Sequence, residues 1–276
     1  MKVGLFIDIS KDFESEIRHA KELGFSSGQL AVWNMDLYTE KTASELKALL
    51  NELDFTVTDL WCGWSEPIIW KYPHKFSVLG LVPKEYRAQR LEELKMGGRF
   101  AHMLGIKNII THTGFIPDDP AAEEHIGVVT ALNELCTELA ERGQSFSFET
   151  GQELPLTLNI VINEIGLDNV GVNFDPANLI SGGRGNPNDA MDLLGCRIFG
   201  MHAKDAVPAK FGEVGGKQVR IGEGKVDFER LLRQLKDLGY TGDIVIEHEM
   251  HNNPDRDGDI LNSKAYLEAL IEKVFE

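Results

Sequence analysis

No run of apolar residues in this chain approaches the ~20 that a membrane-spanning helix requires. The opening stretch, MKVGLFIDIS, has one lysine and an apolar segment too short for the core of a secretion signal, so a soluble, cytoplasmic protein is expected. Cysteine is scarce. Cys62, Cys136 and Cys196 are odd in number, far apart and form no CxxC pair, which argues against a disulfide framework and a thiolate zinc site. Ordinary reduced thiols, mostly buried, are expected. Positive charge is in deficit too: 28 Lys and Arg face 44 Asp and Glu, a formal charge of -16. Such a field repels nucleic acid and anionic membranes, local basic patches apart, and neither is expected as a partner. Pro/Ser-rich linkers and low-complexity tracts are missing as well, so nothing divides the chain.

What is present is an alternation of short β-branched or apolar runs with longer segments of helical period, the pattern of strand–helix units in a parallel sheet. The first unit joins Val3–Ile9 to FESEIRHAKELG, closed at Gly24. The second joins Gly28–Trp33 to SELKALLNELD, and the third strand is Phe55–Trp64. An irregular insert then runs from Ser65 to about Pro83 and carries Trp70, Tyr72, Pro73 and His74. A long helix, Lys84–Leu104, follows. KNIITHTGF is the fourth strand, with a helix over Ala121–Arg142, and SFSFETG is the fifth, followed by helical LPLTLNIVINEIG. NVGVNFDPAN is the sixth, with a short helix in DAMDLLG. CRIFGMHAKD is the seventh, and FERLLRQLKDLG follows it after a glycine-rich loop. DIVIEHEM is the eighth strand, and the helix SKAYLEALIEKVFE closes the chain.

Eight units predict an α/β fold: a single (β/α)8 TIM barrel over residues 1–276, with the insert at about 65–83 over its mouth. An open doubly wound sheet more often has about five or six strands. Two glycine-rich stretches are read as loops over the mouth. Gly182–Pro187 lacks the strand and helix context of a dinucleotide fingerprint, and FGEVGGKQ puts Gln218 where a phosphate loop needs Ser or Thr.

In a parallel barrel all strand C-termini open on one face, where the chemistry collects. Four polar residues stand at the ends of strands five to eight, each terminating an apolar run: Glu149 after SFSF, Asp175 after VGVNF, His202 after IFGM and Glu247 after DIVI. A charge at a buried strand end is costly unless paired or metal-bound. Three converging carboxylates would raise one another's pKa, and a divalent cation resolves that conflict. Three carboxylates and an imidazole suit Mn²⁺, Mg²⁺ or Co²⁺ better than structural zinc. The alternative is that each acid is a separate ion-pair partner on the rim.

The strings FETGQE, VGVNFDPANLI, MHAKD, RIGEGKVDF and IVIEHE, with THTGFIP upstream, resemble the sugar phosphate isomerase/epimerase group. These are xylose-isomerase-like barrels that include ketose 3-epimerases, inosose-converting enzymes and type IV AP endonucleases. The resemblance covers most of the chain and specifies no substrate. It implies that Glu149, Asp175, His202 and Glu247 hold one divalent ion, Mn²⁺ first, with Mg²⁺, Co²⁺ or Zn²⁺ as alternatives. It further implies that Glu149 and Glu247 form an acid/base pair on either face of a small carbohydrate substrate.

An isomerase or epimerase acting through an enediolate is therefore expected. An inosose-type dehydratase is the runner-up, with an AP endonuclease or a silent sugar-binding barrel behind it. Where the epimerases commonly have a histidine after the aspartate, this chain has Asn178, which can hydrogen-bond but cannot shuttle a proton; a helix or turn cap is its other reading. Lys204 shares a face with His202 and is read as a substrate contact or as a partner of Asp205 or another rim acid. Arg220 resembles the arginine the family places over the substrate, or is a surface residue. His112 is a candidate substrate contact or a satisfied core histidine. Trp33 and Trp64, with Trp61 and Trp70 nearby, offer faces for a sugar ring or pack as core and lid. The oligomeric state stays open, a homo-oligomer included.

Overall fold

In the computed structural model, which describes residues 1–250 and 252–275, the apolar runs form ten strands. They are β1 (Val3–Ile9), β2 (Ser27–Val32), β3 (Thr56–Cys62), β4 (Asn108–Thr111), β5 (Ser145–Glu149), β6 (Val170–Phe174), β7 (Ile198–Ala203), β8 (Asp205–Val207), β9 (Lys217–Val219) and β10 (Ile244–Ile246). All but β8 and β9 close a parallel barrel in the order β1-β10-β7-β6-β5-β4-β3-β2. Strands β2, β4, β5 and β6 are buried almost throughout, as expected where helices cover the outside of a parallel sheet.

The helices are α1 (Phe13–Glu22), α2 (Glu40–Glu52), α3 (Lys75–Val78), α4 (Lys84–Leu104), α5 (Glu123–Glu141), α6 (Pro155–Ile165), α7 (Pro176–Gly182), α8 (Pro187–Leu194), α9 (Phe228–Asp237) and α10 (Arg256–Phe275). Their apolar stripes pack on the strands; Leu231, Leu232 and Leu235 of α9, for example, are fully buried. Among the described residues no helix is long and apolar enough to cross a membrane. Cys62 and Cys136 are buried and Cys196 is exposed, all of them free thiols.

Three details differ from the sequence reading. The sixth strand stops at Phe174, because Asp175 caps a helix instead: its carboxylate accepts the Asn178 amide at 2.8 Å, and Pro176 takes the first helical position. The stretch read as a glycine-rich loop contains an antiparallel hairpin, β8 paired with β9 from Asp205–Val219 to Val207–Lys217. The closing helix begins at Arg256 rather than near Ser263, with Asp257 and Asp259 in its first turn and Ile260 anchored in the core. Its expected end at Glu276 lies outside the described residues.

The insert before α4 is tied down chiefly through its backbone. The buried Arg90 guanidinium donates to the carbonyls of Val78 (2.6 Å), Gly80 (2.7 Å) and Pro67 (3.0 Å). Burial lowers its pKa to about 10, against the pull of Glu93. Leu81 and Val82 donate their amides to the Thr113 carbonyl at 2.8 and 3.2 Å. Gly80 and Gly114 lie back to back with φ of 64° and 96°, where a Cβ on either would strike the other segment's backbone. The insert is thereby held over the ends of β3 and β4.

Candidate metal centre

The floor of the barrel mouth is polar. Gln29, Asp59 and Asn173 interrupt the apolar runs of β2, β3 and β6, and Asn108 opens β4. The Gln29 amide nitrogen donates to Asp59 Oδ2 (3.0 Å) and Asn173 Oδ1 (3.1 Å), and Asn108 donates to Asp59 Oδ1 at 2.7 Å. A carboxylate can only accept, so Gln29 must turn its nitrogen toward Asp59 and its oxygen toward His202 Nε2, 2.7 Å away. Nε2 therefore carries the proton. Nδ1 is left facing the three acids, as an N–H donor when the ring is charged and as a lone pair when it is neutral. Phe6 holds the imidazole edge-on at 5.3 Å.

From His202 Nδ1, Glu247 Oε2 is 3.1 Å away, Glu149 Oε1 3.3 Å and Asp175 Oδ2 3.7 Å. One donor atom from each of the four residues lies within 4.8 Å of all the others, and all four side chains are buried. Burial opposes charge on every member, yet mutual attraction outweighs it. His202 is raised well above the ordinary histidine pKa by Glu149 and Glu247. Glu149 is lowered, chiefly by His112 and then by His202 against repulsion from Glu247; Glu247 and Asp175 are lowered by Lys204 and His202. Asp175 Oδ2 and His202 Nδ1 are buried without a hydrogen-bond partner. Leaving such atoms unsatisfied is costly, and a divalent cation between three carboxylates and a neutral imidazole satisfies both. The donor set fits a metal.

Above the floor lies a cavity of about 630 Å³. Glu149 and Glu247 line it, whereas Asp175 and His202 lie behind them. Trp33, His112, Asn178 and Lys204 also line it. Asn178 is both part of α7 and a partner of the site, donating its side-chain amide to Glu149 Oε1 at 3.2 Å. Lys204 bonds Glu247 Oε2 at 3.0 Å and also pairs with Glu249 and with Asp175. Its neighbour Asp205 does not pair with it but accepts the backbone amides of Ala206, Gly222, Gly224 and Val226 at 2.8 to 3.0 Å. That acceptor set organises the RIGEGKV turn.

Two residues expected at the substrate do not line the cavity. Trp64 is buried behind Trp33 and Trp61, with ring centroids at 5.4 and 6.1 Å, and takes Arg90 on its other contacts. Arg220, itself exposed, turns its guanidinium to the buried Asp259 of α10, 2.5 Å away. Trp61 stands where the substrate-facing tryptophan was sought: its indole N–H donates to Glu149 Oε2, and its ring lies 5.9 Å from that of His112. Residues not anticipated at the site are Gln29 and Asp59 below it and Glu249 at its rim. The signal available for the first two was a polar residue in the middle of an apolar strand.

The xylose isomerase-like TIM barrel family model matches residues 17–270. Over 99% of this chain and 98% of the other, the fold superposes on a xylose isomerase domain protein from Planctomyces limnophilus with a TM-score of 0.93 and 30% identity. The L-ribulose-5-phosphate 3-epimerase UlaE of Shigella boydii is 26% identical over 268 residues, 93% of this chain and 89% of that protein. The uncharacterized protein MJ1311 of Methanocaldococcus jannaschii is 27% identical over 183 residues; that match covers 61% of this chain and 59% of the relative's length.

Proposed function

The chain belongs to the xylose isomerase-like TIM barrel family, and from that premise we propose that it is a metal-dependent isomerase or epimerase. Its substrate is a small sugar, ketose or polyol-derived carbonyl compound, converted through an enediolate in the cytoplasm. One observation carries the reading: of four buried, converging donors, the two glutamates face the cavity while Asp175 and His202 stand behind. Glu149, Asp175, His202 and Glu247 would hold the cation, Mn²⁺ before Mg²⁺, Co²⁺ or Zn²⁺ for an oxygen-rich set. When bound it supplies Lewis-acid polarisation of a carbonyl and stabilises the charge that develops on oxygen.

The chain's own residues move the proton. Glu149 and Glu247 are held ionised, so either can accept a proton from carbon. Glu149 is fixed from two sides by the Trp61 indole and Asn178. Glu247 accepts from the Lys204 ammonium at 3.0 Å, which orients its carboxylate toward the substrate. Return to the opposite face of the same carbon inverts it, and return to the adjacent carbon isomerises. Trp33, Trp61 and Trp70 wall the cavity with apolar rings that exclude water from the carbanion. The Shigella relative is named for L-ribulose 5-phosphate, a compound of the proposed class.

The test is an NMR screen in D₂O of the Mn²⁺-loaded protein against ketoses, inososes and sugar acids, with deuterium incorporation as the readout. Glu247→Gln should slow exchange on the order of 10²-fold or more. Undiminished exchange in that variant, or a wild-type protein that binds no divalent ion, would sink the proposal.

A further inference from the structure

Three cations line the cavity: Lys204, Lys75 and Arg256. Lys204, deep inside, is spent on Glu247, Glu249 and Asp175. At the outer end, Lys75 of α3 lines the wall contributed by the insert, and Phe115 lines it beside Lys75. The Lys75 ammonium stands 5.5 Å from the Phe115 ring centroid, and the Arg184 guanidinium, just past α7 and behind the lining residues Phe115 and Gly182, stands 5.1 Å from the same centroid. Two cations thus share one ring. Among the described residues neither has an ion-pair partner. Burial and the charge of Arg184 both lower the Lys75 pKa, with no carboxylate opposing them. The carboxyl that senses Arg184 is Glu153, which lies buried behind the wall with its own charge suppressed. Gly182 gives Arg184 room: it lines the cavity, and a Cβ there would stand 3.3 Å from Arg184 Cγ.

Like charges brought together without a counter-charge repel, and holding them so costs free energy unless an anion joins them. In a chain of net charge -16 this arrangement is more telling, because the overall field repels anionic ligands and local cationic groups are needed to retain one. The cavity, about 630 Å³, admits a small molecule rather than a polymer.

We propose that Lys75 and Arg184 form an anion subsite at the outer end of the cavity, which receives the phosphate or carboxylate group of a sugar whose carbonyl end lies at Glu149 and Glu247. This deepens the proposed function and rests on it for the identity of the sugar, but the anion subsite has a readout of its own. Phosphate would bridge the ammonium and the guanidinium by charge-assisted hydrogen bonds, the guanidinium as a planar fork. The insert would then sort substrates by charge as well as by shape.

The experiment is calorimetric titration of inorganic phosphate into the Mn²⁺-loaded protein, comparing wild type, the double variant Lys75→Met/Arg184→Met, and Lys71→Met as an exposed-charge control. Saturable binding to wild type and the control, weakened at least tenfold in the double variant, is the expected result. No saturable binding, or equal binding in the double variant, overturns the subsite. The two sources of anion separate in a second arm, with sugar phosphates and sugar acids compared by KM: the double variant should raise KM for the anionic class that is used and leave a neutral sugar unchanged. Equal effects on neutral and anionic sugars also overturn it. If no sugar exchanges deuterium while phosphate binding still depends on Lys75 and Arg184, the enolisation chemistry fails and the subsite stands.

Discussion

Replacing Glu153 by glutamine should change how the stability of the barrel depends on pH. Glu153 is 1% exposed; Oε1 accepts the Thr113 hydroxyl at 2.7 Å, and Oε2 is buried without a partner. Burial pushes its carboxyl from 4.5 up to about 7, against the Thr113 hydrogen bond and the weaker pull of His112 and Arg184. Between those two values the folded protein keeps a proton that the unfolded chain releases. The folded state therefore binds more protons, and stability falls as pH rises from 4.5 to 7, then levels off. At about 1.4 kcal/mol per unit the loss amounts to about 3 kcal/mol. Glutamine has nearly the same shape, still accepts from Thr113 and has no proton to lose. Urea unfolding followed by tryptophan fluorescence at pH 4.5, 5.5, 6.5 and 7.5 should show the variant gaining about 3 kcal/mol on wild type across the series. Parallel stability curves would refute the claim that this carboxyl is desolvated.

Two further outcomes follow from partners on the floor and under the insert. Gln29→Leu removes the acceptor that orients His202, so Mn²⁺ affinity measured by calorimetry should drop about 10- to 100-fold with the fold intact by circular dichroism; unchanged affinity would detach Gln29 from the site. Arg90→Met leaves the carbonyls of Pro67, Val78 and Gly80 without their donor. It should cost about 3 kcal/mol of stability and speed tryptic cleavage after Lys71 and Lys75, and a cleavage pattern identical to wild type would count against the latch.

The barrel was legible because its signals are local. Each of SFSFE, VGVNFD, IFGMH and DIVIE couples an apolar run to one terminal polar residue, so strand and candidate ligand were read together. What escaped depends on register across the barrel. Gln29 meets His202 173 positions later, and nothing near Gln29 in sequence announces that its amide will be shared among His202, Asp59 and Asn173. Arg220 was aligned with a substrate arginine, but whether it reaches inward is decided by Asp259, on a helix that begins earlier than its apolar pattern shows. The α7 helix could have been found: Asp175–Pro176 is a cap followed by a proline at the first helical position, a signal masked by the apolar run before it. Between Trp61 and Trp64, strict alternation could not choose, because the strand ends at Cys62 and the chain turns away.

The grip of Arg90 on the insert has an evolutionary consequence. The three acceptors it holds are main-chain carbonyls, which every residue type presents, so the fastening does not read the identities of the side chains it secures. Ile68, Trp70, Lys75 and Leu79, by contrast, point their side chains at the cavity. The segment therefore behaves as an exchangeable cassette: fixed by atoms that mutation leaves in place, and selective through atoms that mutation changes. Substrate preference in this barrel can drift at positions 68, 70 and 75 without loosening the wall that carries them, and a library randomised at those positions is the natural place to redirect it.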